Sequence, residues 1–196
     1  MSKNAKFDRT EVVGKATNLY WEKGYHGTSM RNLQTAIDLR PGSIYATFGS
    51  KDNLFKEALN HYAENTANLL TSCISEAETP LSGLKLFIKK IIVDNRDTAP
   101  SNMCMIVKSI SELTESDNKE LLAEATSLLN NVEIKFADII NEAIKLNEIA
   151  DDKDPLELAR YVQVQIIGLR TYSRVVKDKQ AIEKFIEQIF LGSPFH

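Results

Sequence analysis

Two short segments with helical periodicity lie close together near the start of this 196-residue chain. Their apolar residues recur at helical spacing, as Met30, Leu33, Ala36 and Ile37 in the first segment and as Ile44, Tyr45 and Phe48 in the second. The first segment ends near Asp38, and Pro41 can begin the second because its fixed φ suits a first helical turn. Two helices of about ten residues or fewer, joined by so short a turn, form a helix-turn-helix.

The rest of the chain carries helix boundaries and no strand alternation. Candidate helix starts are Asp8, Thr28, Ser50, Thr79-Pro80, Ser116 and Asp154-Pro155, with further apolar helices over 103–113 and 179–191. Only 8 Gly and 5 Pro occur, which disfavours a turn-rich β fold. We therefore predict an all-α protein of about nine helices, with a three-helix head at residues 1–50 and a larger helical body at residues 51–196.

Charge is distributed unevenly along the chain, although the net charge is only −3. Residues 1–62 hold nine Lys or Arg against six Asp or Glu, whereas the remainder holds 15 against 21. A basic end on an acidic protein indicates a head that faces nucleic acid.

The outward positions of the second short segment support this interpretation. They are small or basic and include no acid: Arg40, Pro41, Gly42, Ser43, Ala46 and Thr47. A solvated surface helix normally mixes in Asp or Glu, but phosphates exclude them from a helix that lies in a major groove. The alternative is an all-helical module that binds protein and not DNA, and the acid-free face argues against it.

A longer pattern surrounds the two segments. It consists of Thr28-Ser29, Ala36, Gly42-Ser43-Ile44-Tyr45, Phe48, Ser50-Lys51 and Leu54-Phe55. This pattern resembles the DNA-binding head of the TetR (tetracycline-repressor-like) family over about residues 7–62. Asp38 stands where the family usually has Gly in the turn, and Asp tolerates the left-handed conformation better than most residues. Arg40-Pro41 replaces a more usual polar pair, which affects the bases that are read.

The resemblance implies that the helix from about Pro41 to Thr47 enters the major groove of operator DNA. The DNA-binding residues that it implies are Thr28, Ser29, Arg40, Pro41, Gly42, Ser43, Tyr45, Thr47 and Lys51. Arg40 and Ser43 are the candidates for base edges, since guanidinium and hydroxyl groups can read them. Ser29 and Thr28 at a helix N-terminus, Tyr45 and Lys51 fit contacts to phosphates.

The last two helices are unusually apolar for the end of a chain. An antiparallel pair cannot cover both apolar stripes, so we expect a homodimer with a four-helix interface, as the resemblance also implies. The residues predicted at this interface are Tyr161, Val164, Gly168, Tyr172, Phe185 and Ile189.

The resemblance further implies a small-molecule pocket in the body. The residues predicted to line it are Phe87, Met103, Cys104, Met105, Phe136 and Gln165, a mostly apolar set with one polar anchor. The absence of any cluster of one charge sign predicts a neutral or weakly polar effector. Cys104 has two interpretations, a thiol that senses electrophiles or a small hydrophobe of the core.

Several classes of function are disfavoured by the sequence. No nucleophile elbow, phosphate loop or paired-carboxylate site is visible, so we predict no enzymatic activity and no cofactor. His61 and Glu64 make at most half a metal site. No apolar run is long enough to span a membrane, and the N-terminus does not read as a signal peptide. The two cysteines, Cys73 and Cys104, fit a reducing cytoplasm.

The function predicted from the sequence is therefore that of a ligand-responsive transcriptional regulator that binds double-stranded operator DNA. A repressor released by a small molecule is the preferred form. An activator, or a regulator switched by oxidation of Cys104, stays open as an alternative.

Overall fold

The computed structural model describes residues 7–195, which form nine α-helices and a π-helical turn and contain no strand. The helices are α1 (Arg9–Lys23), α2 (Met30–Ile37), α3 (Pro41–Phe48), α4 (Lys51–Glu76), α5 (Pro80–Lys89), α6 (Met105–Glu112), α7 (Glu115–Lys145), α8 (Pro155–Tyr172) and α9 (Lys179–Ile189). The π-helical turn, Lys90–Asp94, follows α5 directly. The prediction of an all-α protein of about nine helices is confirmed.

The start of α2 differs from the prediction. Ser29 is the N-cap: its hydroxyl accepts a hydrogen bond from the Asn32 N–H, and the Asn32 side chain accepts one from the Ser29 N–H. Thr28, the predicted cap, is fully buried and donates its hydroxyl to the Gly24 carbonyl at 2.6 Å. It thus satisfies a carbonyl at the end of α1, which has no partner within its own helix.

The turn between α2 and α3 has the predicted conformation. Asp38 adopts the left-handed backbone conformation, with φ 54° and ψ 41°. This is the conformation that the turn requires and that the family usually obtains with glycine. Arg40 is extended, with φ −70° and ψ 151°, because the ring of the following Pro41 disfavours helical geometry at this position. The two helices are therefore fixed relative to each other by a short turn with defined backbone angles.

Other helix ends also differ from the sequence-based boundaries. Thr114, not Ser116, caps α7, and the helix is kinked at Asn118, where φ is −138°. The regular part of α5 ends at Lys89, where the π-helical turn takes over. Helix α6 begins at Met105, two residues later than expected, because the chain at Cys104 is still extended.

Two hydrophobic cores organise the described residues. The head core unites α1, α2, α3 and the first half of α4, and it also takes up Met105, Ile106 and Leu121 from the body. The body core lies between the second half of α4, α5, α7, α8 and α9. Packing is therefore continuous across residue 50, and the division into 1–50 and 51–196 stays a prediction about function. None of the helices in residues 7–195 has the length and apolar character needed to cross a membrane.

Candidate nucleic-acid interface and internal cavity

The outer face of α3 is exposed along most of its length. Ile44 and Phe48 point into the head core, with at most 4% of their surface exposed. The opposite side, which we call the α3 face, is exposed and consists of Arg40, Pro41, Gly42, Ser43, Tyr45 and Ala46. Tyr45 is 50% exposed although it is a large aromatic residue. A helix with one anchored side and one bare, acid-free side is suited to insertion into a groove.

A clamp from Arg9 holds the C-terminal end of α3 in place. Its guanidinium lies 4.7 Å from the centre of the Phe48 ring and donates to both carboxylate oxygens of Glu57, at 2.6 and 3.2 Å. This two-point contact joins α1, α3 and α4. The C-terminal end of α3 is therefore tied to both α1 and α4.

The structure excludes one of the predicted phosphate contacts. Thr28 has no accessible surface, and its hydroxyl is bound to Gly24, so its prediction as a DNA contact is wrong. Ser29 is exposed at the N-terminus of α2, where backbone N–H groups can meet an anion. Thr47 is half-buried, at the edge of the α3 face.

Lys51 lies in an internal network as well as near the surface. Its ammonium donates to the Tyr25 carbonyl at 2.8 Å and lies 4.1 Å above the centre of the Tyr25 ring. Partial burial lowers the pKa of this ammonium from its ordinary value. An ammonium has three N–H donors, so the contact with Tyr25 leaves donors for a phosphate. The phosphate contact of Lys51 stays a prediction.

An internal cavity of about 40 Å³ lies beneath the loop that precedes α6. Four of the predicted ligand-binding residues line it: Phe87, Met103, Cys104 and Phe136. Met105 packs in the head core and does not line this cavity, so its role in ligand binding stays a prediction. Gln165 does not line it either, whereas Gln163 of α8 does, so the predicted role of Gln165 has no support from this cavity and stays a prediction.

The sequence analysis missed the polar residues at the cavity, of which Tyr62, Gln163 and Arg170 are buried. Gln163 is buried, and its Oε1 accepts no hydrogen bond from residues 7–195. The Arg170 guanidinium donates through Nε to the Asn102 carbonyl at 3.0 Å and through Nη1 to the Tyr62 hydroxyl at 3.5 Å. Burial, and next the neighbouring Cys104 thiol, raise the pKa of the Tyr62 hydroxyl. Gln163 and Arg170 share the apolar stripe of α8 with Val162 and Ile166, and polar residues on such a stripe are the signal that could have found them.

The loop at residues 101–104 and helix α6 connect the cavity to the head. The Trp21 indole N–H of α1 donates to the Met103 carbonyl at 2.6 Å, and Lys108 donates to the Glu22 carbonyl at 2.7 Å. Glu112 at the end of α6 accepts from the Tyr25 N–H at 2.7 Å. These three hydrogen bonds connect the cavity wall and α6 to α1 and to the residues that follow it.

The residues predicted at a dimer interface fall into two groups. Val164, Gly168, Tyr172 and Phe185 are exposed on α8 and α9, and the rings of Tyr172 and Phe185 lie 6.1 Å apart. The prediction of Ile189 is wrong, because it is 3% exposed and packs in the body core. Tyr161 is half-buried, and the centre of its ring lies 6.3 Å from that of Phe195.

The predicted half metal site does not gain further ligands. The His61 ring lies 3.1 Å from the Asn65 amide, and no group of three His, Cys, Asp or Glu within residues 7–195 is placed to hold a metal ion.

Comparison with known proteins agrees with the arrangement of the head. Residues 13–58 match the family model of the bacterial regulatory proteins of the tetR family. Over 188 residues, which are 95% of this chain and 96% of the relative, the chain is 24% identical to the uncharacterized HTH-type transcriptional regulator YezE of Bacillus subtilis. Over 61 residues, 31% of this chain and 29% of the relative, it is 36% identical to the HTH-type transcriptional repressor ComR of Escherichia coli.

A solved structure extends the comparison to the body. It is a cysteine mutant of the TetR family transcriptional regulator CifR, complexed with 26-bp double-strand operator DNA. The TM-score is 0.84 at 26% identity, and the match covers 98% of this chain and 100% of that one. The relatives are transcriptional regulators and not enzymes. Residues 13–58 therefore form a DNA-binding domain of the tetR type on a helical body that shares the fold of TetR family regulators, and the protein is a DNA-binding transcriptional regulator.

Proposed function

We propose that the protein is a homodimeric repressor that leaves its operator when a small molecule binds in the internal cavity. The observation that carries the proposal is the position of two adjacent carbonyls. The Asn102 carbonyl is bound by Arg170 of the body, and the Met103 carbonyl is bound by Trp21 of the head. Two successive peptide units thus join the cavity wall to the first helix of the head.

The size of the cavity explains how this link can act as a switch. A volume of 40 Å³ holds about three water molecules and no organic effector. An effector must therefore displace the walls, which include Met103 and Cys104. It binds best to the conformation in which the loop has moved, and this conformation differs from the one that places the heads on DNA. Such differential affinity is what release requires.

On the DNA side, we propose that the α3 face enters the major groove. Arg40 and Ser43 read base edges, Pro41 and Gly42 allow close approach, Tyr45, Ser29 and Lys51 contact phosphates, and Thr47 lies at the edge of the contact. The relative CifR is complexed with operator DNA, and the α3 face carries no acid that would oppose it.

Arg40→Ala is expected to weaken operator binding by about 1–3 kcal/mol, or roughly 5- to 150-fold. The side chain that it removes is the cation nearest to the exposed start of α3. The measurement is an anisotropy titration against DNA from upstream of the protein's own gene, at several salt concentrations. The wild-type affinity should fall steeply with salt.

The matched control for this experiment is Arg160→Ala. Arg160 is exposed on α8 and paired with Glu133, far along the chain from the α3 face. Equal affinities for the wild type and the Arg40 variant would show that α3 does not read the operator.

The exposed side chains of α8 and α9 carry the proposal of a homodimer. Val164 is 64% exposed, and Tyr172 and Phe185 are 46% and 43% exposed. In water these residues form an apolar surface that a second copy can cover. Val164→Glu is expected to convert the dimer to monomer at micromolar concentration, because the two-fold axis buries two carboxylates close together.

Sedimentation equilibrium measures this change directly. Ile134→Glu is the control, since Ile134 is an equally exposed apolar residue of α7 outside this surface. A Val164→Glu protein that stays dimeric would place the interface elsewhere.

A further inference from the structure

The Arg170 guanidinium is an unusual group to find at an apolar cavity. It is 6% exposed, and no carboxylate of residues 7–195 forms an ion pair with it. Its partners are the Asn102 carbonyl and the Tyr62 hydroxyl, both neutral. A guanidinium has five N–H donors, and a buried cation is costly unless an anion accompanies it. The group is therefore prepared to receive an anion.

Within the described residues, Gln163 places a buried acceptor without a hydrogen-bond donor in the same cavity. Its side chain is 8% exposed, and the Oε1 atom has no donor among residues 7–195. A buried acceptor without a donor costs free energy, and such atoms are rare in folded proteins. A ligand that offers an O–H or N–H at this point would remove the cost.

The two groups lie on one side of α8. They are seven positions apart in the sequence, which corresponds to about two helical turns and about 10 Å along the axis. Between them the cavity wall is formed by Ile166 and Ile167. This wall of the cavity therefore has a cation at one end, a hydrogen-bond acceptor at the other and an apolar surface between them.

We propose that the effector is an elongated apolar carboxylate with a hydroxyl or N–H group at its far end. The carboxylate binds the Arg170 guanidinium, whose planar fork matches it in two parallel hydrogen bonds. The hydroxyl or N–H donates to Gln163 Oε1, and the apolar middle lies along Ile166 and Ile167. This inference rests on the proposed function, since it specifies the ligand of the same cavity.

The position of Arg170 also gives an anion access to it. The residue lines the internal cavity and a more open cleft next to the head, where Trp21, His61 and Asn65 face it. A carboxylate can therefore reach the guanidinium from the cleft without crossing the apolar interior.

Binding at Arg170 explains why the signal would reach the head. The Nε donor that holds the Asn102 carbonyl is one of those that a carboxylate would take. Once released, Asn102 can move, and with it Met103, whose carbonyl holds Trp21. Trp21 is the single tryptophan of the chain, so its emission reports this displacement directly.

Three probe molecules test separately whether binding needs the carboxylate and whether it needs the hydroxyl. The first is 3-(4-hydroxyphenyl)propanoate, the second is its primary amide, which lacks the charge, and the third is 3-phenylpropanoate, which lacks the hydroxyl. In calorimetric titrations of the wild-type dimer, we expect the amide to bind roughly 10- to 100-fold more weakly than the acid. We expect loss of the hydroxyl to weaken binding roughly 3- to 10-fold. The hydroxy acid should change the Trp21 emission and dissociate the operator complex.

Two variants assign the effects to residues. In Arg170→Gln the acid and its amide should bind equally, and in Gln163→Leu the two acids should bind equally. Arg160→Gln, which removes an exposed arginine of the same helix, should behave like the wild type. Thermal unfolding of each variant shows whether the fold is kept, and the comparison of acid with amide on the wild type needs no variant.

The outcomes separate this inference from the proposed function. If the amide binds the wild type as tightly as the acid, or if the acid does not bind, the inference is overturned. Release of the operator by acid and amide alike would overturn it while leaving an effector-responsive regulator. A preparation that prefers the acid but never binds operator would support the inference and contradict the proposed repressor.

Discussion

Replacement of Phe55 by alanine is expected to lower the free energy of unfolding by about 3–5 kcal/mol and to abolish operator binding at physiological temperature. Phe55 is fully buried in the head core. Its ring packs edge-on against Tyr20 and Tyr25, with centres 4.8 and 5.0 Å apart. The substitution thus leaves a cavity where α1 and α4 meet, and this loss is a large fraction of the roughly 5–15 kcal/mol that stabilises a typical domain.

Denaturant unfolding followed by circular dichroism measures this loss. Leu146→Ala is the control, because Leu146 is 61% exposed and its truncation should change the free energy of unfolding by about 0.5 kcal/mol or less. A Phe55→Ala protein as stable as the wild type would show that the head core does not depend on this contact. Operator binding, measured on the same samples, tests whether α3 needs that core.

The head was predictable from sequence because its determinants are local. The short turn, the proline at the start of α3 and the left-handed Asp38 are all encoded within ten residues of one another. The prediction of Thr28 as the helix cap failed because its hydroxyl bonds to the end of α1, a contact that the residues of α2 alone do not indicate. A threonine before a helix reads as a cap, but here its neighbour Ser29 caps the helix and Thr28 turns back to α1.

The body was less predictable, since its cavity is assembled from helices distant in sequence. Phe87 and Phe136 line the cavity, as expected of large apolar residues on amphipathic helices that face a core. Gln163 and Arg170 could not be ranked by residue type, since polar residues are mostly exposed. Only the three-dimensional packing around α8 shows that these two are buried. For the same reason the sequence favoured a neutral effector, whereas the buried guanidinium favours an acid.

Glu112 is the residue where loss of a single carboxylate should most affect the connection between body and head. Its Oε1 accepts from the Tyr25 N–H at 2.7 Å and its Oε2 from the His26 N–H at 3.4 Å, at the corner between α1 and α2. Gly24 makes room for it: a Cβ there would lie 2.5 Å from Oε2. With φ of 78°, that backbone also suits glycine.

Glu112→Ala is expected to cost about 1.5–3 kcal/mol of stability, because the Tyr25 N–H loses a charged acceptor that water replaces poorly. Glu112→Gln should lose less, since one amide oxygen can still accept. The exposed Glu64 provides the control in Glu64→Ala.

Beyond stability, Glu112→Ala removes a contact that joins α6 to the head while the contacts of α3 remain. The variant should therefore still bind operator when folded, but more hydroxy acid probe should be needed to release it. Operator titrations with and without the probe measure both quantities. Unchanged release by the probe would mean that the signal reaches α1 through Trp21 and Lys108 without Glu112.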